Sequence, residues 1–353
     1  MVERRKTRIK LTRRFYFLIL GVVAALVLGI VIAAATCSGP AANPFSNMGK
    51  KLSVAEMQRL KVNEAGSVMV LEYHKIGEEG RWSRSPDAFR AELKTIYDEG
   101  YRAISLTDLV TNNIKAPAGT TPVVLTFDDA DISQFRYLDN GGNPQIDPDC
   151  AVGIMEQFAK DHPDFGMTAT FYVLPNPFGQ EQYVQQKLEF LKARGYDLGN
   201  HTVSHTSLEK LADDKAVEEI ARNVKMVQGY LPGYEEKSIA LPNGSEPKNP
   251  AVLVSGTYDG TSYNFVCSLL VGANPSPAPG IKGFSPMRMP RVQSLALSLD
   301  KDNLGSEAWL SYFRENPERR YRSDGDPNYA TVPQYMADRL KPEDLGGKQL
   351  RTY

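Results

Sequence analysis

His201-Thr-Val-Ser-His205 sets two imidazoles four residues apart in a chain of 353 residues that has four histidines in all. If the chain turns helical there, both rings point the same way. About 70 residues earlier, Pro122 to Asp129 reads PVVLTFDD, an apolar run that ends in two adjacent carboxylates, Asp128 and Asp129. A strand interior cannot hold two like charges side by side without compensation. The plain alternative is a strand-to-helix turn in which one Asp caps the next helix and the other is solvated. Joined with Asp129, the two histidines make a two-His, one-carboxylate set with open positions. Zinc takes such nitrogen and oxygen ligands and keeps a water when catalytic, and the same set also suits non-haem Fe(II) oxygenases.

The elements that must position these groups alternate between strand and helix. Strands are predicted at 67–71, 101–106, 122–127, 168–174, 196–202, 238–241, 264–271 and 284–292. Helices are predicted after Ser85-Pro86-Asp87, at Thr107-Asp108, from Asp147-Pro148, at 182–194, at 213–228 and around 306–313. Such alternation is the signature of parallel βα units, and about seven of them in this length fit a (β/α) barrel with its active site at the C-terminal strand ends. The polar clusters Tyr73-His74, Asp128-Asp129 and 201–205 all sit at such ends. No G-x-G-x-x-G supports nucleotide binding, and the iron oxygenase alternative does not suit βα alternation.

Phe15 to Ala35 is 21 residues without a charge, long enough to span a bilayer as a helix. Seven basic residues against Glu3 precede it in residues 1–14, so the basic end should stay cytoplasmic and the body should lie outside. Its length favours an uncleaved anchor over a signal peptide cut after Ala33-Ala34-Ala35. A lipoprotein signal ending at Cys37 is disfavoured by Thr36. The expected organisation is a basic segment 1–14, an anchor 15–35, a stalk 36–66 with a capping box at Ser53 and Glu56, a catalytic domain 67–292 and a solvated C-terminal extension 293–353. The whole chain has net charge -1, so removing the basic leader leaves an acidic body with no surplus for nucleic-acid phosphates. Cys37, Cys150 and Cys267 are too few for a disulfide framework; Cys150 and Cys267 are either one bridge or two buried thiols.

FDD at 127–129, HTVSH at 201–205 and YHKI at 73–76 resemble the polysaccharide deacetylases of carbohydrate esterase family 4. The resemblance covers about 67–292 and implies an irregular or incomplete (β/α) barrel. It also implies Asp128 as general base, and Asp129, His201 and His205 as ligands of a divalent metal, zinc first among them. The implied activity is removal of acetyl groups from an N-acetylated or O-acetylated amino-sugar polysaccharide at the cell surface. The alternative is a catalytically impaired carbohydrate-binding homologue that keeps the metal site. That alternative is motivated by Ala240 where the family has Arg and by Ala130 after the Asp pair, and two departures from the family pattern stand out. The family's R-x-P-Y-G segment, whose Arg orients the base, is here Ala240-Leu241-Pro242-Asn243-Gly244, with Ala in place of Arg. No histidine follows His205, so a late acid is missing. The branch similar to poly-N-acetylglucosamine deacetylases takes its acid from an early Tyr-His, which makes His74 the expected acid. Tyr73, Tyr172, Pro242 and Asn243 are the expected substrate-facing residues, with a backbone N–H near Asn243 or Tyr172 for the oxyanion. His162 is read as solvated at a helix end, and Arg319, Arg320 and Arg322 as part of a solvated tail.

Overall fold

Eight short strands form the centre of the molecule: β1 Met69–Tyr73, β2 Tyr101–Ala103, β3 Thr121–Phe127, β4 Thr170–Val173, β5 Asp197–Asn200, β6 Ser238–Ala240, β7 Cys267–Leu269 and β8 Val292–Gln293. The structure is a computed structural model and describes residues 49, 51–139 and 141–353. The strands pair in parallel in the order β7-β6-β5-β4-β3-β1-β8, with β2 added on β3. A parallel bridge from Leu269 to Met289, just before β8, draws the two ends of the curled sheet together. This is the α/β architecture expected, in its irregular-barrel form.

The strands are short and almost wholly buried, so they read as apolar runs rather than as alternations. Their two faces nonetheless go to different places. Leu71, Tyr73, Val123, Leu125, Phe127, Phe171 and Leu198 face outward, onto Phe89, Leu93, Ile154, Met155 and Leu188 of the helices. Val70, Val124, Tyr172, Ala240, Cys267 and Leu269 face inward. Inward space is tight. A Cβ at Gly199 would lie 2.3 Å from Tyr172 Cε1, so only glycine fits beside that ring.

The helices are α1 Val54–Leu60, α2 Pro86–Asp98, α3 Leu106–Val110, α4 Ala151–Asp161, α5 Val184–Ala193, α6 Asp213–Tyr230 and α7 Ser306–Glu315. Ser53 and Glu56 form the expected capping box of α1, and Ser85 caps α2 ahead of Pro86. Helix α4 starts later than expected. Its cap is Cys150, while Asp147 Oδ1 accepts the Asp149 N–H at 2.9 Å in the turn before it. Cys150 and Cys267 are both buried free thiols.

Several expectations change. The stretch 284–292 yields a short 3-10 turn, Pro286–Arg288, and then β8. Of 264–271, only Cys267–Leu269 joins the sheet, while Thr261–Asn264 pairs with Ser255–Tyr258 as an outer hairpin. The stalk and the tail are not loose. Leu52, Met57 and Val62 make a buried cluster, Asn63 bridges Arg322, and Ser67 bridges Arg320. Glu64 accepts the backbone N–H groups of Asp324 at 3.2 Å and Thr331 at 3.0 Å. Residues beyond 293 therefore pack on the start of the body instead of hanging from it, and Arg320 is buried over the Tyr101 ring. His162 is half-buried, its ring 4.2 Å from that of Tyr97 and 4.5 Å from that of Phe158. The basic segment 1–14, the anchor 15–35 and residues 36–48 and 50 of the stalk lie outside the described residues. Among those described, no helix is long and apolar enough to cross a membrane.

Candidate active site and metal centre

Period-two alternation along β3 sends Phe127 out to the helices and Asp128 in, over the mouth of the sheet. The chain then reverses sharply. Asp129 and Ala130 take φ of 72° and 46°, in the left-handed region that costs non-glycine residues energy. This turn brings the Asp129 carboxylate over the same mouth as Asp128, although the two are neighbours in sequence. Thr202, His205 and Asn243 also have positive φ, so backbone strain gathers around one cavity.

His201 and His205 do not lie on a helix. The segment 201–205 is a loop after β5, and its left-handed turns at Thr202 and His205 bring the rings together, centroids 4.8 Å apart. Buried amides pin this loop. Asn200 Oδ1 accepts the Thr202 N–H at 2.9 Å, Asn223 Nδ2 donates to the Thr202 carbonyl at 2.6 Å, and Thr202 Oγ1 accepts the His205 N–H at 3.1 Å. Asn200 and Asn223 were not singled out from sequence; both are amides at buried positions, where each polar group needs a partner.

Asp129 Oδ1 lies 3.4 Å from His201 Nε2 and 3.5 Å from His205 Nε2, a set of atoms close enough to share one ion. His201 Nδ1 is 2.8 Å from the Ala240 carbonyl oxygen, which can only accept, so Nδ1 carries the proton and Nε2 presents its lone pair to Asp129. The residues present therefore fit a divalent metal of the zinc type. Burial would depress the His201 pKa, but Asp129 and Asp128 outweigh it and raise it above the ordinary value. His205, half-buried beside His201, is held below it.

Arg291, which sequence reading missed, resolves the other carboxylate. It is fully buried, and its Nη1 and Nη2 donate to Asp128 Oδ1 and Oδ2, each at 2.7 Å. Nε donates to the Leu270 carbonyl at 2.8 Å, and Nη2 is 3.3 Å from Glu72 Oε1. Burial alone would raise the Asp128 pKa; the fork of Arg291 outweighs it and holds the carboxyl well below the usual range. Asp128 is thus kept ionised. The one available signal was a lone cation in the otherwise apolar Met289-Pro290-Arg291-Val292.

The cavity over these groups has a volume of about 510 Å³ and is lined by His74, Lys75, Trp82, Asp128, Asp129, His201, His205, Leu241, Asn243 and Val271. His74 converges with the four motif residues, and its ring centroid is 4.8 Å from that of Trp82, half-exposed at the rim. Three expected contacts fail. Tyr73 points outward and packs on Phe89 and Phe127, as its alternation with His74 along the strand requires. Tyr172 lies below the floor, its hydroxyl 2.8 Å from Ser238 Oγ. Pro242 is buried beneath the rim, whereas Asn243 does reach the cavity. A larger cavity of about 600 Å³ between α2 and α4 holds none of these groups.

Residues 115–256 match the polysaccharide deacetylase family. A Bacillus subtilis protein named for the polysaccharide deacetylases, YxkH, is 21% identical over 221 residues, 58% of this chain and 72% of its own. Among solved structures, Streptococcus pyogenes deacetylase PplD in complex with acetate is 20% identical with a TM-score of 0.49, covering 69% of this chain and 97% of that one. IcaB from Ammonifex degensii is 18% identical with a TM-score of 0.49, covering 68% and 97%. The matched stretch contains Asp128, Asp129, His201 and His205, while His74 and Arg291 lie to either side of it. Residues 115–256, which hold the base and the three metal-ligand candidates, are thus similar to the polysaccharide deacetylase family.

Proposed function

We propose that this protein is a metal-dependent hydrolase that removes acetyl groups from an amino-sugar polysaccharide outside the cell membrane. The observation that carries the reading is the division of labour between adjacent carboxylates. Asp129 faces two imidazole nitrogens, and Asp128 is forked by Arg291. A divalent metal held by Asp129, His201 and His205 would supply Lewis acidity toward a water and the acetyl carbonyl. Asp128, held ionised and open to the cavity, takes the proton of the attacking water at a carboxylate oxygen. His74, across the cavity, delivers a proton to the departing amine nitrogen as the carbon–nitrogen bond breaks, leaving acetate and a free amino sugar. Trp82 at the rim offers an apolar face to a sugar ring.

The reading of an impaired homologue draws on Ala240 standing where the family has Arg and on Ala130 after the Asp pair. Arg291, just before β8, supplies a guanidinium to the base, which supports the active reading against the first of these grounds. Zinc as the metal, an N-acetylated polymer as the substrate and a membrane-anchored, extracytoplasmic location remain proposals of the same reading. Its test is acetate release from N-acetylglucosamine oligomers by the zinc-loaded protein, wild type against Asp128→Asn. Release should fall by at least about a hundredfold in the variant. No release by the wild type from any N- or O-acetylated glycan overturns the reading.

A further inference from the structure

Tyr73 and Phe127 are the last pair of the β1–β3 ladder, and the Asp128 N–H still donates to the Tyr73 carbonyl at 2.9 Å. The next carbonyls, of His74 and Asp128, lie beyond the ladder. Both are taken by one side chain. Gln134 is fully buried, and its Nε2 donates to the His74 carbonyl and to the Asp128 carbonyl, each at 2.5 Å. Carbonyl oxygens only accept, so the amide nitrogen must be the end that faces them, and its two N–H groups are then both used. Oε1 is left buried without a hydrogen-bond partner, a cost that an apolar side chain of the same length would avoid. The amide is itself held firmly. The Gln134 N–H donates to the Asp131 carbonyl and the Gln134 carbonyl accepts the Val152 N–H of α4, both at 2.9 Å. Beside it, Ser133 Oγ accepts the Ile76 N–H at 3.0 Å.

We propose that Gln134 is a positioning residue whose side-chain amide clamps the ends of β1 and β3 together and so fixes the separation of His74 and Asp128 across the cavity. The clamp itself follows from the geometry; its effect on rate rests on the deacetylase reading. Gln134 is not among the residues that line the cavity, so it acts through the two main-chain carbonyls alone. The place calls for such a clamp. Asp129 and Ala130, directly after the clamped carbonyl, hold left-handed conformations that would relax if the segment swung away from β1. Arg291 grips the Asp128 side chain, but it does not fix the main chain that leads from Asp128 into that turn. Gln134 ties this main chain to the β1 end and, through α4, to the helical layer.

Two measurements decide it. In the full-length wild type, the Gln134 side-chain amide, traced through its own carbon resonances, should keep both N–H protons for hours in heavy water; exchange of either within minutes overturns the clamp. In zinc-loaded protein, Gln134→Met keeps the length and removes the donors, and Gln134→Glu keeps the shape and turns a donor into an acceptor. At a temperature where both are folded, each should lower kcat on N-acetylglucosamine oligomers by about 10- to 100-fold, the cost of a displacement of about 1 Å between reacting groups. KM should stay within about threefold and zinc at one equivalent, because substrate contacts and metal ligands are untouched. A merely structural Gln134 predicts a lower melting temperature with wild-type kcat per folded molecule, and that result overturns the proposal. A loss that falls mainly on KM or on zinc content overturns it as well. If neither variant folds, the proton exchange decides alone. If the wild type releases no acetate, the deacetylase reading falls, and the exchange still decides whether Gln134 joins the two strand ends.

Discussion

Replacing Arg291 with Met keeps much of the side-chain volume and removes the charge. The guanidinium is wholly buried and makes two 2.7 Å bonds to Asp128, one at 3.2 Å to Thr126 and one at 2.8 Å to the Leu270 carbonyl. Its loss strands Asp128 and Glu72 as like charges without a cation from the protein interior. Breaking a buried pair by deleting one partner costs about 3–5 kcal/mol. With an unfolding entropy near 2.1 cal/mol/K per residue over about 300 residues, that lowers the melting temperature by roughly 5–8 °C. The pH dependence carries the sharper test. In the wild type the Asp128 pKa is depressed, so its contribution is present above the ordinary carboxylate range and is lost only in strong acid. In Arg291→Met both carboxyls are buried without the cation and their pKa values rise. Each can then escape its penalty by taking a proton as pH falls, so the cost of the substitution shrinks toward pH 4–5. Urea unfolding at pH 7.5 and pH 5, with Asp128→Asn and the double variant completing a cycle, measures this. The coupling between positions 128 and 291 should exceed about 2 kcal/mol at pH 7.5. A cost below about 1 kcal/mol, or one that grows on acidification, refutes the buried ion pair as the force that holds Asp128.

The metal set should separate from the acid. His201→Ala, His205→Ala or Asp129→Ala should each lower zinc affinity by more than about a hundredfold, whereas His74→Ala should still bind one equivalent, as read by elemental analysis after dialysis. Glu64 gives a second pH signature far from the site. Its carboxyl is pushed up to about 7 by burial and by Asp324. A raised folded-state pKa means the contribution is full below the unfolded value of 4.5 and is lost as pH rises to about 7. Glu64→Gln should flatten that loss, about 3 kcal/mol, in urea titrations across pH 4.5–7.5, and an unchanged slope would count against it.

The legible parts of the site were those written within a few residues. FDD and HTVSH each end a strand, so local pattern was enough to bring Asp128, Asp129, His201 and His205 forward. Arg291 was invisible because it reaches Asp128 across 163 positions of sequence, from a segment that sequence reading treated as one more strand. Ala240 misled in the opposite sense. Its side chain is buried among the inward residues, but its carbonyl binds His201 Nδ1, so the position still serves the site through the backbone. Tyr73 was misplaced because adjacency to His74 was taken as shared direction, which a strand forbids. The two-residue and three-residue ladders, such as Lys75–Ile76 with Ser83–Arg84, are too short to show any period, and they were missed. The packing of residues 51–66 on 318–332 depends on contacts between the two ends of the body, to which no local signal points.

Why two neighbouring aspartates can differ so much follows from the turn between them. On a continued strand Asp129 would have faced the helices, opposite to Asp128, and the two could not share a cavity. A helix starting at Asp128 would have solvated one of them. The left-handed conformation at Asp129 and Ala130 avoids both outcomes and returns the Asp129 carboxylate to the mouth of the sheet. It also sets the two carboxylates against different cations. Asp128 lies inside, against a guanidinium that cannot lose its proton at any working pH. Asp129, a third exposed, lies against two imidazoles whose lone pairs a metal can claim. For the proposed hydrolysis, a fixed cation behind the base and a metal before the ligand would divide the two roles between the carboxylates. It requires strain at 129–130, the close pass at Gly199 and an arginine just before the last strand together.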